Sequence, residues 1–175
     1  MPTETLRPNG AGDATGLTAS AGSNYQCVDE VTANGDTDYV YGTTAGPVVD
    51  YYALDDTALT TETVDSVDVI LESKVSANAT SGDRSQPGVR LSGSDTNGTL
   101  SSLTTSYVAR QSPALVRPGG GSWAVSDLNG LQAKIGLYED GADQSRATQI
   151  YVEINYTAGA GTVKVRSLMM TGVGM

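Results

Sequence analysis

Two segments of the chain alternate apolar and polar residues with the period of two that is typical of a strand buried on one face. The apolar face of the first segment, residues 64–75, comprises Val67, Val69, Leu71 and Val75. The apolar face of the second, residues 148–156, comprises Ile150, Val152, Ile154 and Tyr156. Both segments therefore predict half-buried strands, and a fold that contains them must place a second layer against each apolar face.

Shorter runs rich in Val, Ile, Thr and Tyr predict further strands, because Gly, Asn, Asp and Pro clusters separate them at short spacings. These runs cover residues 24–31, 37–41, 48–53, 89–92, 102–110 and 133–138, with weaker ones at 3–7 and 162–168. One helical pattern occurs, near residues 124–132, where Trp123, Leu128 and Leu131 share a face and Ser122 or Ser126 is the candidate N-cap.

Half-buried strands without alternating helices favour an all-β fold, an antiparallel β-sandwich of jelly-roll type with about eight strands. The 175 residues suffice for one domain of ordinary size. We expect an N-terminal arm over residues 1–23, the jelly-roll sandwich over 24–157 and a C-terminal extension over 158–175. The two terminal segments are expected to be extended, and the short helix to close one end of the sandwich.

The reactive side chains of many enzymes are missing. The chain has no histidine, which excludes imidazole as a general base or metal ligand, and a single cysteine, Cys27, which excludes an intramolecular disulfide. Cys27 is expected to be a small buried residue. The Asp pairs at 36 and 38, 55 and 56, and 140 and 143 lack the spacing of a calcium loop and are interpreted as solvated turn residues. We therefore predict no catalytic residues, no cofactor, no metal and no enzymatic activity.

The net charge of −10 makes a nucleic acid or an anionic membrane surface an unfavourable partner. No run of apolar residues approaches the length needed to cross a membrane. We therefore expect neither a nucleic acid nor a membrane among the partners.

Apolar residues at the C-terminus, together with two near the N-terminus, are the candidate partner interface. Flexible thioether side chains suit an adaptable protein contact, and the segment could also add a strand to a neighbouring sheet. The alternative is a last strand that packs on its own domain. The candidate interface residues are Leu6, Arg7, Leu168, Met169, Met170, Val173 and Met175.

Several of the nine tyrosines lie in predicted strands and have two interpretations. Exposed rings could form a stacking platform for sugars, whereas packing in the core or at sheet edges suits a chain that has no phenylalanine. The tyrosines concerned are Tyr39, Tyr41, Tyr51, Tyr52 and Tyr107.

Five segments resemble a group of virion structural proteins of tailed bacterial and archaeal viruses. They are residues 3–10 (TETLRPNG), 24–31 (NYQCVDEV), 103–107 (LTTSY), Trp123 with 127–132 (DLNGLQ), and 148–156 (TQIYVEINY). The resemblance covers residues 3–157 and implies a jelly-roll domain. Members of the group are head decoration or cement proteins, or components of tails and fibres, so the resemblance implies a virion location.

The leading hypothesis is a non-enzymatic decoration or cement protein on the outer surface of a viral head, which stabilises the capsid through contacts between subunits. Its expected partners are the major capsid protein and copies of itself in a symmetric homo-oligomer, with a trimer favoured. The alternative is a receptor- or glycan-binding domain of a viral tail or fibre.

Overall fold

The computed structural model describes residues 1–42, 44–140 and 143–159, and these residues form two packed antiparallel sheets. A 3₁₀ turn at Asn24–Cys27 and one short helix, α1 at Val125–Leu128, accompany the strands. The strands are β1 Thr3–Leu6, β2 Pro8–Thr15, β3 Thr18–Ala19, β4 Val40–Gly42, β5 Gly46–Leu54, β6 Thr63–Val75, β7 Arg84–Leu91, β8 Ser94–Asn97, β9 Ser101–Ser102, β10 Val108–Ser112, β11 Leu131–Glu139 and β12 Ser145–Thr157.

Eight of these strands follow the order of a jelly roll. In chain order they are β1, β5, β6, β7, β8, β10, β11 and β12. The first pairs with the last, the second with the seventh, the third with the sixth and the fourth with the fifth. Pairings of β12 with β6 and of β11 with β7 complete the two sheets. The predicted all-β jelly-roll sandwich is confirmed, with β2, β3, β4 and β9 as additions to the eight strands.

The core lies between the two sheets and is built as the alternation predicts. Val67, Val69 and Leu71 of β6 are completely buried, as are Ile150 and Ile154 of β12. These side chains face those of β5, β7 and β11 in the second sheet and belong to one hydrophobic cluster. Burial of each such side chain stabilises the fold by about 1.5–3 kcal/mol, so the two long strands anchor the sandwich.

The strand predicted over residues 24–31 is wrong, because the chain forms a 3₁₀ turn there. Cys27 and its neighbour Val28 are both completely buried, which a strand with alternating faces would not allow. The backbone N–H of Ser23 donates to the Gln26 side chain, and the N–H of Gln26 donates to the carbonyl of Ser23. These bonds close the turn locally.

Residues 1–23, expected as an arm outside the core, are hydrogen-bonded into both sheets. Strand β1 pairs with β12 and β3 with β4 in the first sheet, while β2 pairs with β5 in the second. Leu6 and Leu17 are buried in the common core. The segment thus covers one edge of the sandwich.

The short helix is confirmed but is only four residues long. Its N-cap is Ala124, not Ser122 or Ser126, so no capping hydroxyl accepts an N–H of the first turn. Only the reverse bond of a capping box forms, in which the carboxylate of Asp127 accepts the backbone N–H of Ala124. Asp127 also pairs with Arg117 at 2.8 Å, and this bond holds the pKa of the carboxyl below its usual value. In the described part of the chain, no helix is long and apolar enough to cross a membrane.

Candidate ligand sites

The predicted partner interface does not form one surface in the described structure. Leu6 is 1% exposed and packs inside its own domain, so it offers nothing to a partner. Arg7 donates to the backbone carbonyls of Glu30 and Val31, and its guanidinium lies 4.9 Å from the centre of the Tyr151 ring. The other five residues, Leu168, Met169, Met170, Val173 and Met175, lie outside the described residues, as does the strand predicted at 162–168.

Cys27 is buried, as predicted. Its thiol donates to the carbonyl of Ala21 at 2.8 Å, and burial raises the pKa of the thiol. A buried thiol with a raised pKa is a poor nucleophile, so the side chain fills space in the core.

A pocket of about 270 Å³ opens at the edge of the sandwich, between β2, the 3₁₀ turn and β5. We call it the edge pocket. Its position was not predicted from the sequence, because its walls come from segments far apart in the chain. The lining residues are Ala11, Thr15, Ser23, Asn24, Tyr25 and Tyr52.

A buried carboxylate, Asp50, fixes two walls of the edge pocket. One of its oxygens accepts the backbone N–H groups of Gly16 and Leu17 at 2.5 and 2.7 Å. The other accepts the Asn24 amide at 2.6 Å and the Tyr52 hydroxyl at 2.8 Å. Burial, followed by the neighbouring Asp50 charge, raises the pKa of the Tyr52 phenol, which therefore stays a neutral donor. Four donors compensate the buried charge and hold the pocket in shape.

The surface of the edge pocket is aromatic and hydroxylated. The half-buried Tyr25 supplies ring surface, while Thr15 and Ser23 supply hydroxyl groups. Tyr52 borders the pocket but is 1% exposed, so it contributes almost no accessible ring surface. Both hydrogens of the Asn24 amide are used, by Asp50 and the Leu17 carbonyl, which leaves its oxygen as an acceptor. None of the six lining side chains is ionised, so the pocket suits a small neutral ligand with both apolar and hydroxyl faces.

The tyrosine on the outer face of the second sheet is already covered by cations. The Tyr51 ring centre lies 4.7 Å from the Arg90 guanidinium and 5.8 Å from the Lys134 ammonium. Asp95 accepts from Tyr51, Arg90 and Lys134. Burial alone would raise the pKa of Asp95, but these three bonds outweigh it and the pKa is lowered. The ring face is thus used within the protein.

A second cluster of the same kind surrounds Asp36 on the outer face of the first sheet. Asp36 pairs with Lys74 at 2.6 Å and with Arg146 at 2.9 Å, and these contacts, led by Lys74, lower its pKa. Lys74 lies 4.7 Å from the Tyr107 ring centre, and Arg146 lies 4.3 Å from that of Tyr39. Three of the tyrosines considered as a stacking platform therefore have a cation over the ring.

Acidic side chains near the turns make specific hydrogen bonds. The interpretation of the turn aspartates as solvated side chains did not predict these bonds. The Asn34 amide bridges the carboxylates of Glu30 and Asp38. Burial, with Asp38 beside it, raises the pKa of Glu30 to about 7. Within residues 1–42, 44–140 and 143–159, no three His, Cys, Asp or Glu side chains are grouped so that they alone could hold a metal ion.

No protein-family model matches the chain. No curated protein matches it either. Among solved structures, it is similar to TmCBM61, a carbohydrate-binding module in complex with beta-1,4-galactotriose, at 10% identity and a TM-score of 0.42 over 86% of this chain and 87% of that one. It is also similar to the Agl-KA catalytic domain, at 11% identity and a TM-score of 0.41 over 90% of this chain but only 28% of that one. Likenesses this distant do not extend to ligands or activity.

Proposed function

We propose that the chain is a non-enzymatic binding domain that holds a neutral sugar residue in the edge pocket. The observation that carries the proposal is the lining of the pocket, in which the half-buried Tyr25 ring lies beside hydroxyl and amide groups and no side chain is ionised. A sugar has the complementary surface, with apolar C–H faces and hydroxyl edges. Asp50 supports the proposal, since two of its four hydrogen bonds fix Tyr52 and Asn24 before a ligand arrives.

In this proposal the Tyr25 ring packs on the apolar face of the sugar. The hydroxyls of Thr15 and Ser23 and the oxygen of Asn24 pair with sugar hydroxyls. The pocket is small for a ligand site, so it accommodates a single ring, and its affinity alone is modest. Display of many copies on one particle would raise the effective affinity by multivalency.

The charge of the chain selects against acidic sugars. The net charge is −10, and the fully paired Asp50 carboxylate lies directly behind the pocket. A sialylated or sulfated ring would meet no cation among the lining side chains and would be repelled by the acidic surface. The ligand class is therefore neutral hexoses or pentoses.

The experiment is a screen on immobilised neutral and acidic glycans, followed by calorimetric titration with the best neutral oligosaccharide. We expect Tyr25→Ala to weaken binding at least about tenfold, or about 1.4 kcal/mol, because the stacking surface is lost. Ser23→Ala, at an exposed position, removes one hydroxyl without touching the core and should weaken binding less. Tyr41→Ala, a half-buried tyrosine of the first sheet, is the matched control and should bind like the unchanged chain.

Binding to acidic glycans only, or equal affinity of the Tyr25→Ala, Ser23→Ala and unchanged chains, would refute the proposal. Melting temperatures of the variants must be compared in parallel, since Tyr25 also packs partly against the core. Ser23→Ala covers the case in which Tyr25→Ala fails to fold.

A location on a virion is part of the same proposal and rests on the sequence resemblance. A sugar-binding domain would be placed on a tail or fibre, where it meets the host surface. Capsid decoration and assembly into a homo-oligomer stay predictions, because the C-terminal residues assigned to partner contacts lie outside the described residues.

A further inference from the structure

Acidic side chains crowd one end of the sandwich, where the connection between β6 and β7 meets the turn between β11 and β12. Asp83 and Thr80 come from the first connection, and Glu139, Asp140 and Asp143 from the end of β11 and the turn. We call this group the acidic rim. It contains four carboxylates, and none of the ion pairs among the described residues involves them.

Two carboxylates of the acidic rim contact the same hydroxyl group, which has only one hydrogen to donate. The Thr80 hydroxyl lies 2.9 Å from Oδ2 of Asp83 and closer still to Oδ1 of Asp140. A hydroxyl has a single hydrogen to donate, so one of these two oxygen contacts is not compensated by a hydrogen bond. The two carboxylates are therefore held on either side of the same oxygen.

Two further oxygens of the acidic rim are buried without a donor. Asp83 is 1% exposed and Glu139 is 5% exposed. Oδ1 of Asp83 and Oε2 of Glu139 accept no hydrogen bond from any residue that the structure describes. The other oxygen of each carboxylate accepts a hydrogen bond, from Thr80 in Asp83 and from the Ser145 backbone in Glu139, so each group is compensated on one side only. Cations compensate incompletely paired buried charges in proteins.

Gly82 lets the carboxylates come together. A Cβ at this position would collide with the Asp140 carboxylate, so only glycine allows Asp140 to approach the backbone between Thr80 and Asp83. The backbone N–H of Thr80 donates to Oδ2 of Asp83 at 2.7 Å, the same oxygen that its hydroxyl contacts, and this bond fixes the Asp83 carboxylate. The geometry thus presents carboxylate and hydroxyl oxygens at one point.

We propose that the acidic rim binds a divalent calcium-type cation through Asp83, Asp140 and the Thr80 hydroxyl, with water completing the shell. Calcium takes six to eight oxygen ligands and tolerates irregular geometry, which suits a partly hydrated site of this kind. Magnesium demands a near-ideal octahedron and gives up its water reluctantly, so it binds more weakly here. With two carboxylates, the dissociation constant is on the order of 10⁻⁴–10⁻³ M, as in extracellular calcium modules. The cation would tie the two loops together.

The test is the melting temperature of the full chain, freed of metal with EDTA and then measured with and without 10 mM CaCl2 at constant ionic strength. We expect calcium to raise the melting temperature by about 3–6 °C. Asp140→Asn, an exposed position that leaves the core untouched, should abolish the rise, and so should Asp83→Asn. Asp56→Asn, an exposed turn aspartate elsewhere, makes the same charge change and should keep it.

The melting temperature of Asp140→Asn in EDTA also distinguishes a cation site from an ordinary hydrogen-bonded turn. In EDTA, Asp140→Asn removes one of the two negative charges beside the Thr80 hydroxyl. Its melting temperature should therefore equal or exceed that of the unchanged chain. A fall in EDTA would mean that Asp140 stabilises the loops by hydrogen bonding alone and would overturn the proposal. No calcium effect, an equal effect of magnesium on every variant, or a retained effect in Asp140→Asn would overturn it as well. None of these outcomes depends on whether the edge pocket binds a sugar.

Discussion

The Tyr52 hydroxyl donates a 2.8 Å hydrogen bond to the carboxylate of Asp50, which lies two residues earlier on the same strand. Both side chains point from β5 into the sandwich, so a charge and a phenol sit together where the alternation would place two apolar residues. The same carboxylate holds the backbone after β2 and the side chain of Asn24. One buried acid therefore joins an edge strand, the 3₁₀ turn and the edge pocket.

Replacing Asp50 with Asn should destabilise the domain. Asp50 is 0% exposed, and its two oxygens accept four hydrogen bonds. An amide group turns one acceptor into a donor, so two donors face it without a partner. We expect a loss of about 2–4 kcal/mol in the free energy of unfolding, measured by guanidinium denaturation. Asp65→Asn at an exposed position is the control, and a loss for Asp50→Asn as small as the control's would contradict this account.

Lys134→Met should cost more stability than Lys74→Met. The Lys134 ammonium donates to Asp95, whose side chain is 23% exposed, while the Lys74 ammonium pairs with Asp36, whose side chain is 52% exposed. We expect about 1–2 kcal/mol for Lys134→Met and below about 1 kcal/mol for Lys74→Met, because water screens the more exposed pair. Urea denaturation at low and high salt measures both values. Equal losses would show that burial of the partner does not decide the effect.

Glu30→Gln should stabilise the protein above neutral pH. The pKa of Glu30 rises from its ordinary value of 4.5 to about 7 in the fold, chiefly through burial. Between these values the folded chain keeps a proton that the unfolded chain has lost, so stability falls as the pH rises from 4.5 to 7. Glutamine cannot ionise and avoids the loss. The difference in melting temperature between variant and unchanged chain should be positive at pH 8 and vanish near pH 4.

The pKa of Glu62 is shifted in the opposite direction from that of Glu30, so its effect on stability has the opposite pH dependence. The backbone N–H groups of Thr60 and Thr61 lower the pKa of its carboxyl, so its stabilising effect is present above pH 4.5 and is lost as the pH falls. Glu62→Gln should therefore lower the melting temperature at pH 8. A Glu30→Gln variant that behaves like Glu62→Gln would contradict the raised pKa.

The number of copies in purified particles separates head decoration from a tail or fibre role. A decoration protein covers a lattice and should be present in hundreds of copies, whereas a tail or fibre component is present in a few dozen at most. Quantitative mass spectrometry of virions measures the ratio to the major capsid protein. For the decoration hypothesis, removal of residues 158–175 should abolish capsid binding; undiminished binding would exclude the C-terminal segment as the anchor.

The fold was predictable where one strand carries its own pattern. Val67, Val69 and Leu71 reveal their shared face without reference to any partner, and the structure buries all three. Strand β7 was predicted only at 89–92 but spans Arg84–Leu91, because its first half contains Arg84, Gln86 and Pro87 and has no apolar alternation. Hydrogen bonds to β11 hold this half as a strand although it has no apolar alternation of its own.

The candidate sites were less predictable, because their residues meet only after folding. Asp50 is the one signal that the sequence offered, an acid within the apolar run 48–53 that predicted a strand. Its partners lie at Gly16, Leu17 and Asn24, and nothing local marks them. The tyrosines had the converse problem, since a pattern of rings does not show that Arg90 or Arg146 already covers them.

The pairing of β1 with β12 has a kinetic consequence. Thr3 lies opposite Asn155, so nearly the whole domain must be synthesised before this ladder can form. Domains dominated by such distant contacts fold in milliseconds to seconds, because the entropy of closing a long loop is lost before the contacts compensate it. During synthesis on the ribosome, the edge of β6 that pairs with β12 in the first sheet stays unpaired until β12 emerges. Apolar strands in that state are prone to aggregation, so the yield of folded protein should depend on how quickly the last strand is released.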